Sequence, residues 1–593
     1  MREAVSPCAA GAHLAHLDRR IWLKAVLGAA GAFAAGRAAG QNPAAPTRPA
    51  PLGPVYKSAE SAPPDAYLDG SPHPYYGSEN PWDRRFFDKN DGSQEFYDRR
   101  APGLILDILE GRIDAAEAHA RKLLAAMPDD LEAMFVLCAA SAARADPSTA
   151  LIHVRNLIAK GLPIERFYAG PRPFLDALTQ TPDFRALAPP PELLHGPMLG
   201  AMSDAGFSVW VRTRREAPCR LVVSQKWNLR AGGSSTAVSS PAEDFTAKIE
   251  IGGLKPSTDY FYGVSIDGAP VAPIAKARTF PSEAAANDVR IGFGGCAGYA
   301  PWNERMWDRI AADGLDLLLL LGDNVYISLP GAPNAVHDYV YYRRQSRPEF
   351  RRLIAETPIA AVWDDHDCAI DDCWLGPYRD RPAWKPAMVR HFQRQWCNGA
   401  TGAPGWPGHW RKLRVGRVEV FLLDGRTYRT NPFAPTPTML GPQQKAWLLK
   451  GLRNSTAAFK IIAAPVAWDD RAKPGTRDGW SGFPDERTEI FEHIKRERIN
   501  GVLLLSSDRH RADAWVHRRE GAYPLYEFAS ALLTHDYKHE LRPEAAFSYN
   551  AKCNYGRLNF SLNDDAPSVL SEFVTIDGEA VYSKRIALKE ISF

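Results

Sequence analysis

Between Asp288 and Phe593 the chain repeats one device: a short apolar run that ends in a ligand-type side chain. "VRIGFGGC" runs into Cys296, "LDLLLLLGD" into Asp323 and "PIAAVWDD" into Asp364 and Asp365. "VEVFLLDGR" runs into Asp424 and Arg426, and "GVLLLSSDRH" into Asp508 and His510. Apolar runs without alternation suit strands buried on both faces, and helical stretches such as "RTEIFEHIKRERI" lie between several of them. Strands alternating with helices predict an α/β fold, whose ligands gather beyond the carboxyl ends of the strands. A single Asp after a strand is commonly a turn or cap residue. Five strands ending in this way predict a shared site.

The donors that would meet there are mostly anionic: Cys296, Asp323, Tyr326, Asp365, Asp371 and Asp508, against one nearby fixed cation, Arg426. Unpaired buried carboxylates cost several kcal/mol each, so protons or cations must offset them. The imbalance points to two or more metal ions. A phenol with an ordinary pKa near 10 binds as phenolate only to a strongly Lewis-acidic ion, which favours Fe(III) at Tyr326, with Cys296 on the same centre. The remaining carboxylates suit hard ions such as Ca²⁺ or Mg²⁺. One histidine, His510, stands in an obvious ligand position, which counts against a di-zinc site.

The 593 residues have room for several domains, and a net charge of +3 suggests no nucleic-acid or anionic-membrane partner. Residues 1–40 resemble a twin-arginine export signal: Arg19-Arg20 followed by Ile21, Trp22, Leu23 and Lys24, then a short Ala/Gly-rich run too weak to span a bilayer. The resemblance implies passage through the twin-arginine machinery and a periplasmic or secreted product. Residues 41–100 are rich in Pro and aromatics and are expected as a linker or wrapping segment. Residues 101–190 show helical spacing and resemble one or two tetratricopeptide-type hairpins, too few for a binding solenoid. Residues 196–281 alternate in strand fashion, and "GLKPSTDYFYGVSIDG" resembles part of a fibronectin III-like sandwich. Of eight cysteines, Cys8 would leave with the signal; the seven left cannot all pair, and Cys368, Cys373 and Cys397 are close enough in sequence to include a disulfide. Asp470 to Glu486, rich in Gly, Pro and charge, is expected as a mobile loop over the site.

At "GGCAGY", "LLGDNVY", "WDDHDCAIDD", "LLDGRTYR", "LGPQQKAWLLKGLRNSTAAFKII" and "LLSSDRH" the chain resembles the PhoD-like alkaline phosphatases, a branch of the metallophosphoesterases. The resemblance covers roughly Gly196 to the C-terminus. It implies an α/β/β/α sandwich over residues 288–593 that hydrolyses phosphate esters with one Fe(III) and one or two Ca²⁺, other divalent ions being possible. Carried over, Cys296, Asp323, Tyr326, Asp508 and His510 would hold iron, and Asp323, Asp365, Asp371 and Asp508 the calcium side. Arg426 is the candidate phosphate clamp. His366 would either protonate the leaving group or orient Asp365. Asp371 stands where the family more often has Asn, and Ser507 where a Gly usually precedes the Asp; neither removes a donor. A purple acid phosphatase-like enzyme also combines a fibronectin-like domain with GDxxY, but expects GNH[DE] where this chain has "WDDHD" and a cysteine. A periplasmic binding or scaffold protein with a decayed metal site is the alternative of another class; here every main donor position is filled.

Overall fold

The computed structural model describes residues 97–562 and 565–593. The expected export signal, and all of the expected linker up to residue 96, lie outside the described residues. Among the described residues no helix is long and apolar enough to cross a membrane.

Helices occupy the stretch from Tyr97–Leu109 to Pro182–Arg185. The first begins four residues before the expected boundary at residue 101. The break at "MPDD" is set by Asp130, whose carboxylate accepts from the backbone N–H groups of Glu132 and Ala133 and so caps Leu131–Ala143. The next helix starts with Asp146 accepting from Thr149 N and Pro147 in the first turn, where a missing N–H costs nothing. Leu131–Ala143 is apolar nearly all round because it is enclosed on several sides. Its Glu132 takes Arg166 at 2.7 Å and the hydroxyl of Tyr339, which belongs to Ala335–Gln345 in the larger domain. The helical segment is therefore fastened to the domain that follows by a buried, charge-assisted contact as well as by its apolar face.

Two large sheets carry the rest. One has nine strands, in the order Ala580–Ala587, Ser568–Thr575, Asn554–Ser561, Val289–Gly294, Leu317–Leu321, Ile359–Val362, Leu193–Gly200, Gly206–Thr213 and Thr246–Gly252. The other has seven, running Arg411–Val415, Val418–Leu422, Phe459–Ala463, Val502–Ser506, Leu525–Ser530, Ala512–His517 and Phe547–Tyr549. The leucine run shows how the layers form. Successive side chains on a strand point to opposite faces. Leu318 and Leu320 pack with the helices, while Leu317, Leu319 and Leu321 join the core shared with Val420, Ile462 and Leu504 of the second sheet. That two-sided burial is why the run lacks alternation.

The segment expected as a separate β domain over residues 196–281 divides between two sheets. Pro218–Ser224, Gly233–Val238, Asp259–Ile266 and two short strands form a small sheet of their own. Leu193–Gly200, Gly206–Thr213 and Thr246–Gly252 instead extend the nine-stranded sheet, with Gly200 in parallel register with Ile359. Backbone hydrogen bonds thus cross the boundary that the change of pattern suggested.

Candidate metal centre

Val289–Gly294, Leu317–Leu321 and Ile359–Val362 are parallel neighbours, so their carboxyl ends emerge side by side. Val418–Leu422, Phe459–Ala463 and Val502–Ser506 do the same in the second sheet. The two sets of loops meet. Cys296 Sγ, an Asp323 oxygen and a His510 nitrogen lie within 4.8 Å of one another. Cys296 Sγ is 3.6 Å from Asp323 Oδ2. The Tyr326 hydroxyl is 3.2 Å from the same oxygen and 3.0 Å from His510 Nε2. His510 Nδ1 faces the Tyr537 carbonyl at 3.1 Å and donates to it, which leaves the Nε2 lone pair turned toward the centre.

Turning a chain this sharply at a strand end strains it. Cys296, Asp323, Asp508 and His510 have φ of 54°, 49°, 74° and 45°, the left-handed region that residues with a Cβ rarely adopt and that gathers at functional sites. Gly295 is needed for a different reason: a Cβ there would stand 2.1 Å from Ser507 Oγ and 2.7 Å from Gly322 O. Ser507 thus fills the space over Gly295, with its hydroxyl 3.8 Å from Cys296 Sγ.

A second group of donors continues from the first. Asp323, Asp365 and His366 lie within 4.8 Å of each other, as do Asp365, Asp371 and Asp372. Asp365 Oδ2 accepts from Asp372 N at 2.7 Å. His366 is held between Ser328 Oγ, 3.0 Å from Nδ1, and the half-exposed Asp371, 3.5 Å from Nε2. Asp364 goes elsewhere: it is buried against Arg426. Asp508 is 8% exposed, yet its Oδ2 has no hydrogen-bond partner among the described residues.

Without a metal ion these anions oppose each other. Burial pushes the Asp323 carboxyl well up, and Asp365 and Asp364 push it further. Burial, then Asp323, raises both the Cys296 thiol and the Tyr326 phenol. Burial, with His535 and His539 beside it, holds His510 well below its ordinary value, so that it is a neutral imidazole, as a ligand must be. A thiol, a phenol, a neutral imidazole and shared carboxylates make a donor set that fits a hard, strongly acidic ion beside a second oxygen-loving one. Because three of these donors hold their protons tightly, metal affinity is expected to rise with pH. Binding must displace those protons, so acidification favours the metal-free protein. Equilibrium dialysis of the full chain against Fe(III) or a divalent ion across pH 5 to 9 measures this, and a flat profile would contradict it.

Arg426 does not fit the role of phosphate clamp. Its guanidinium is fully buried: Nε goes to Asp364, Nη1 to Asp478 at 2.6 Å and to the Cys373 carbonyl at 2.9 Å, and Nη2 to Asp478 at 3.2 Å. With every nitrogen engaged, it braces the wall behind Asp365. The expected mobile loop is part of the same wall: Lys473, Asp478 and Trp480 are buried, and Trp480 stacks on Trp468 at 4.3 Å. All seven described cysteines are free thiols, including the three close enough in sequence to pair: Cys368 Sγ and Cys373 Sγ are 3.8 Å apart, and Cys397 Sγ meets the Ser208 carbonyl.

Sequence spacing missed several groups. Asp367 ties two site loops together by accepting from the N–H groups of Asn324, Val325 and Asp364. His535 lies 4.7 Å from the Tyr326 ring and 4.4 Å from that of His510. Arg99, from the first helix, places its guanidinium carbon 5.7 Å from the Tyr326 ring centre. The Asp364-x-x-Asp367 spacing carried a usable capping-box signal; nothing local marks His535 or Arg99.

Residues 291–555 match the family of PhoD-like phosphatases, and residues 190–284 match a domain of unknown function (DUF7800). Alkaline phosphatase D of Bacillus subtilis is 24% identical over 320 residues, covering 46% of this chain and 55% of that protein, so the match spans about half of the relative's length. Among solved structures, that of PhoD superposes with a TM-score of 0.54 at 18% identity, over 65% of this chain and 91% of the other. Purple acid phosphatase PPD1 from yellow lupin (Lupinus luteus) gives 0.51 at 11% identity, over 67% and 76%. At these identities the structural likenesses concern the fold alone. Over residues 291–555 the chain is therefore similar to the PhoD-like phosphatases.

Proposed function

We propose that the chain is an exported, metal-dependent phosphoric ester hydrolase whose centre holds one Fe(III) together with Ca²⁺. The observation that carries this reading is the meeting of Cys296, Asp323, Tyr326 and the Nε2 of His510 at strand ends from two sheets. The thiol favours a PhoD-like centre over a purple acid phosphatase-like one. The periplasmic or secreted location rests on the twin-arginine resemblance in residues 1–40.

Bound metals would supply positive charge to polarise the phosphoryl oxygens and favour an oxygen nucleophile. The chain's own residues would do the rest. Asp323 is placed to be shared between the two donor groups, since it belongs to both. His366, oriented by Ser328 and Asp371, presents an Nε2–H at the edge of the carboxylate group, where it can hold Asp371 or deliver a proton to a leaving oxygen. Arg509 takes over the part expected of Arg426. It adjoins Asp508 at 4.0 Å, and its Nε has no hydrogen-bond partner among the described residues. Arg509→Gln is expected to raise KM for a phosphate monoester about tenfold or more, as loss of a charge-assisted hydrogen bond of about 1.5–3 kcal/mol requires, with kcat changed less.

The test of the function is hydrolysis of p-nitrophenyl phosphate and bis(p-nitrophenyl) phosphate by the purified protein, alongside metal analysis and the visible spectrum. Turnover with about one iron, calcium and a charge-transfer band that Tyr326→Phe abolishes is the expected result. Turnover with two zinc ions and no band would keep the hydrolase and remove the iron. Neither turnover nor metal would sink the proposal and favour the binding-protein reading.

A further inference from the structure

Lys473 stands in the connection between Phe459–Ala463 and Pro484–Arg496, with its side chain 9% exposed. Its ammonium is 2.6 Å from Asp372 Oδ1, 2.8 Å from Asp478 Oδ2 and 3.4 Å from Asp508 Oδ1. An ammonium has three N–H donors, and three carboxylates surround it. They are not equivalent. Asp478 already has Arg426 at 2.6 Å and Arg429 at 2.9 Å, so its charge is met without the lysine. Among the described residues, Asp372 has no other ion-pair partner within 4.0 Å, and Asp508 has only Arg509 at the limit of that range. The lysine charge therefore serves Asp372 and Asp508.

Those two residues belong to opposite arms of the centre. Asp372 shares a donor group with Asp365 and Asp371. Asp508, on the other sheet, is an expected ligand whose Oδ2 is buried and, among the described residues, without a hydrogen-bond partner. A cation that joins Asp372 to Asp508 occupies ground where a further divalent ion would bridge the same carboxylates. The two charges would repel at that range, so one excludes the other.

We propose that the Lys473 ammonium is a built-in cation of the metal centre, standing in for a second calcium, so that the chain holds one iron and one calcium. The inference rests on the metal-centre reading above and fixes its stoichiometry. It follows from the ion pairs that removing the ammonium opens a place for one more divalent ion. A guanidinium at the same position would keep that place closed.

The test is metal counting on the full chain, by elemental analysis after dialysis against excess Ca²⁺ and by calorimetric titration. Wild type, Lys473→Met and Lys473→Arg are compared, with thermal unfolding measured in parallel. The expected result is one calcium per wild-type chain, two for Lys473→Met and one for Lys473→Arg. Calcium should also raise the melting temperature of Lys473→Met by more than that of wild type, because the added ion replaces the missing charge. Equal calcium in wild type and Lys473→Met overturns the proposal, as do two calcium ions in wild type. A Lys473→Met protein that stays unfolded in millimolar calcium overturns it as well, since the ion then fails to take the ammonium's place. A wild type that binds neither iron nor calcium overturns the metal-centre reading itself and is told apart from these outcomes by the wild-type measurement alone.

Discussion

Exchange of Asp323 for asparagine is expected to lower hydrolysis of a phosphate monoester by about 10³-fold or more, equivalent to about 4 kcal/mol of transition-state stabilisation. Asp323 is the one carboxylate that belongs to both donor groups, with Cys296 and His510 on one side and Asp365 and His366 on the other. An amide keeps the volume and one oxygen but loses the charge that two adjacent cations would share. Burial and the neighbouring Asp365 and Asp364 make the native carboxyl hold a proton tightly in the metal-free protein. Losing the charge therefore costs little in metal-free stability and much in metal affinity. The melting temperature of metal-free Asp323→Asn should match or exceed that of metal-free wild type, while the metal content falls. The sign follows from the raised folded-state value: wild type loses metal-free stability as pH climbs above the ordinary carboxylate range, and the amide does not. A variant that keeps both its metals and its turnover would remove Asp323 from the centre.

What could be read from the chain and what could not divide along a physical line. Strand positions, and the donors fixed to their ends, follow from local patterns: Cys296, Asp323 and His510 are within two to five residues of an apolar run that can only be a buried strand. Convergence of those ends is a general property of α/β sheets, so the candidate ligands could be named before any distance was known. Pairing of buried charges has no local signature. Arg426 looks like a free cation in "LDGRTYR", and its partners lie 62 and 52 positions away. Lys473 and Asp478 sit in a stretch whose Gly, Pro and charge suggest mobility, yet they are buried by contacts from Asp372, Arg426 and Arg429. The same holds for Arg99, which reaches Tyr326 from a helix outside the family-matched residues. Composition identifies such residues as polar; only the fold shows that they are walled in.

Arg426 gives the sharpest contrast between those two kinds of inference. As a clamp that touches only substrate, Arg426→Gln would leave stability unchanged and raise KM for phosphate esters. The geometry demands the reverse. The substitution leaves Asp364 and Asp478 buried, at 1% exposure each, with a cation removed from both. Breaking a buried pair by deleting one partner costs about 3–5 kcal/mol, because the remaining charge stays in a medium that solvates it poorly. Asp478 would retain Arg429 and Lys473, whereas Asp364 would lose the only ion-pair partner within 4.0 Å found for it among the described residues. The expected outcome is a drop of about 3–5 kcal/mol in urea unfolding, with KM of the folded fraction near that of wild type. Adding Asp364→Asn to Arg426→Gln should recover part of the loss, since the double variant no longer buries an unpaired carboxylate at that position. Full stability in Arg426→Gln together with a tenfold rise in KM would return the guanidinium to the substrate. A stability loss that Asp364→Asn partly relieves assigns it to the wall that holds Asp365 in place.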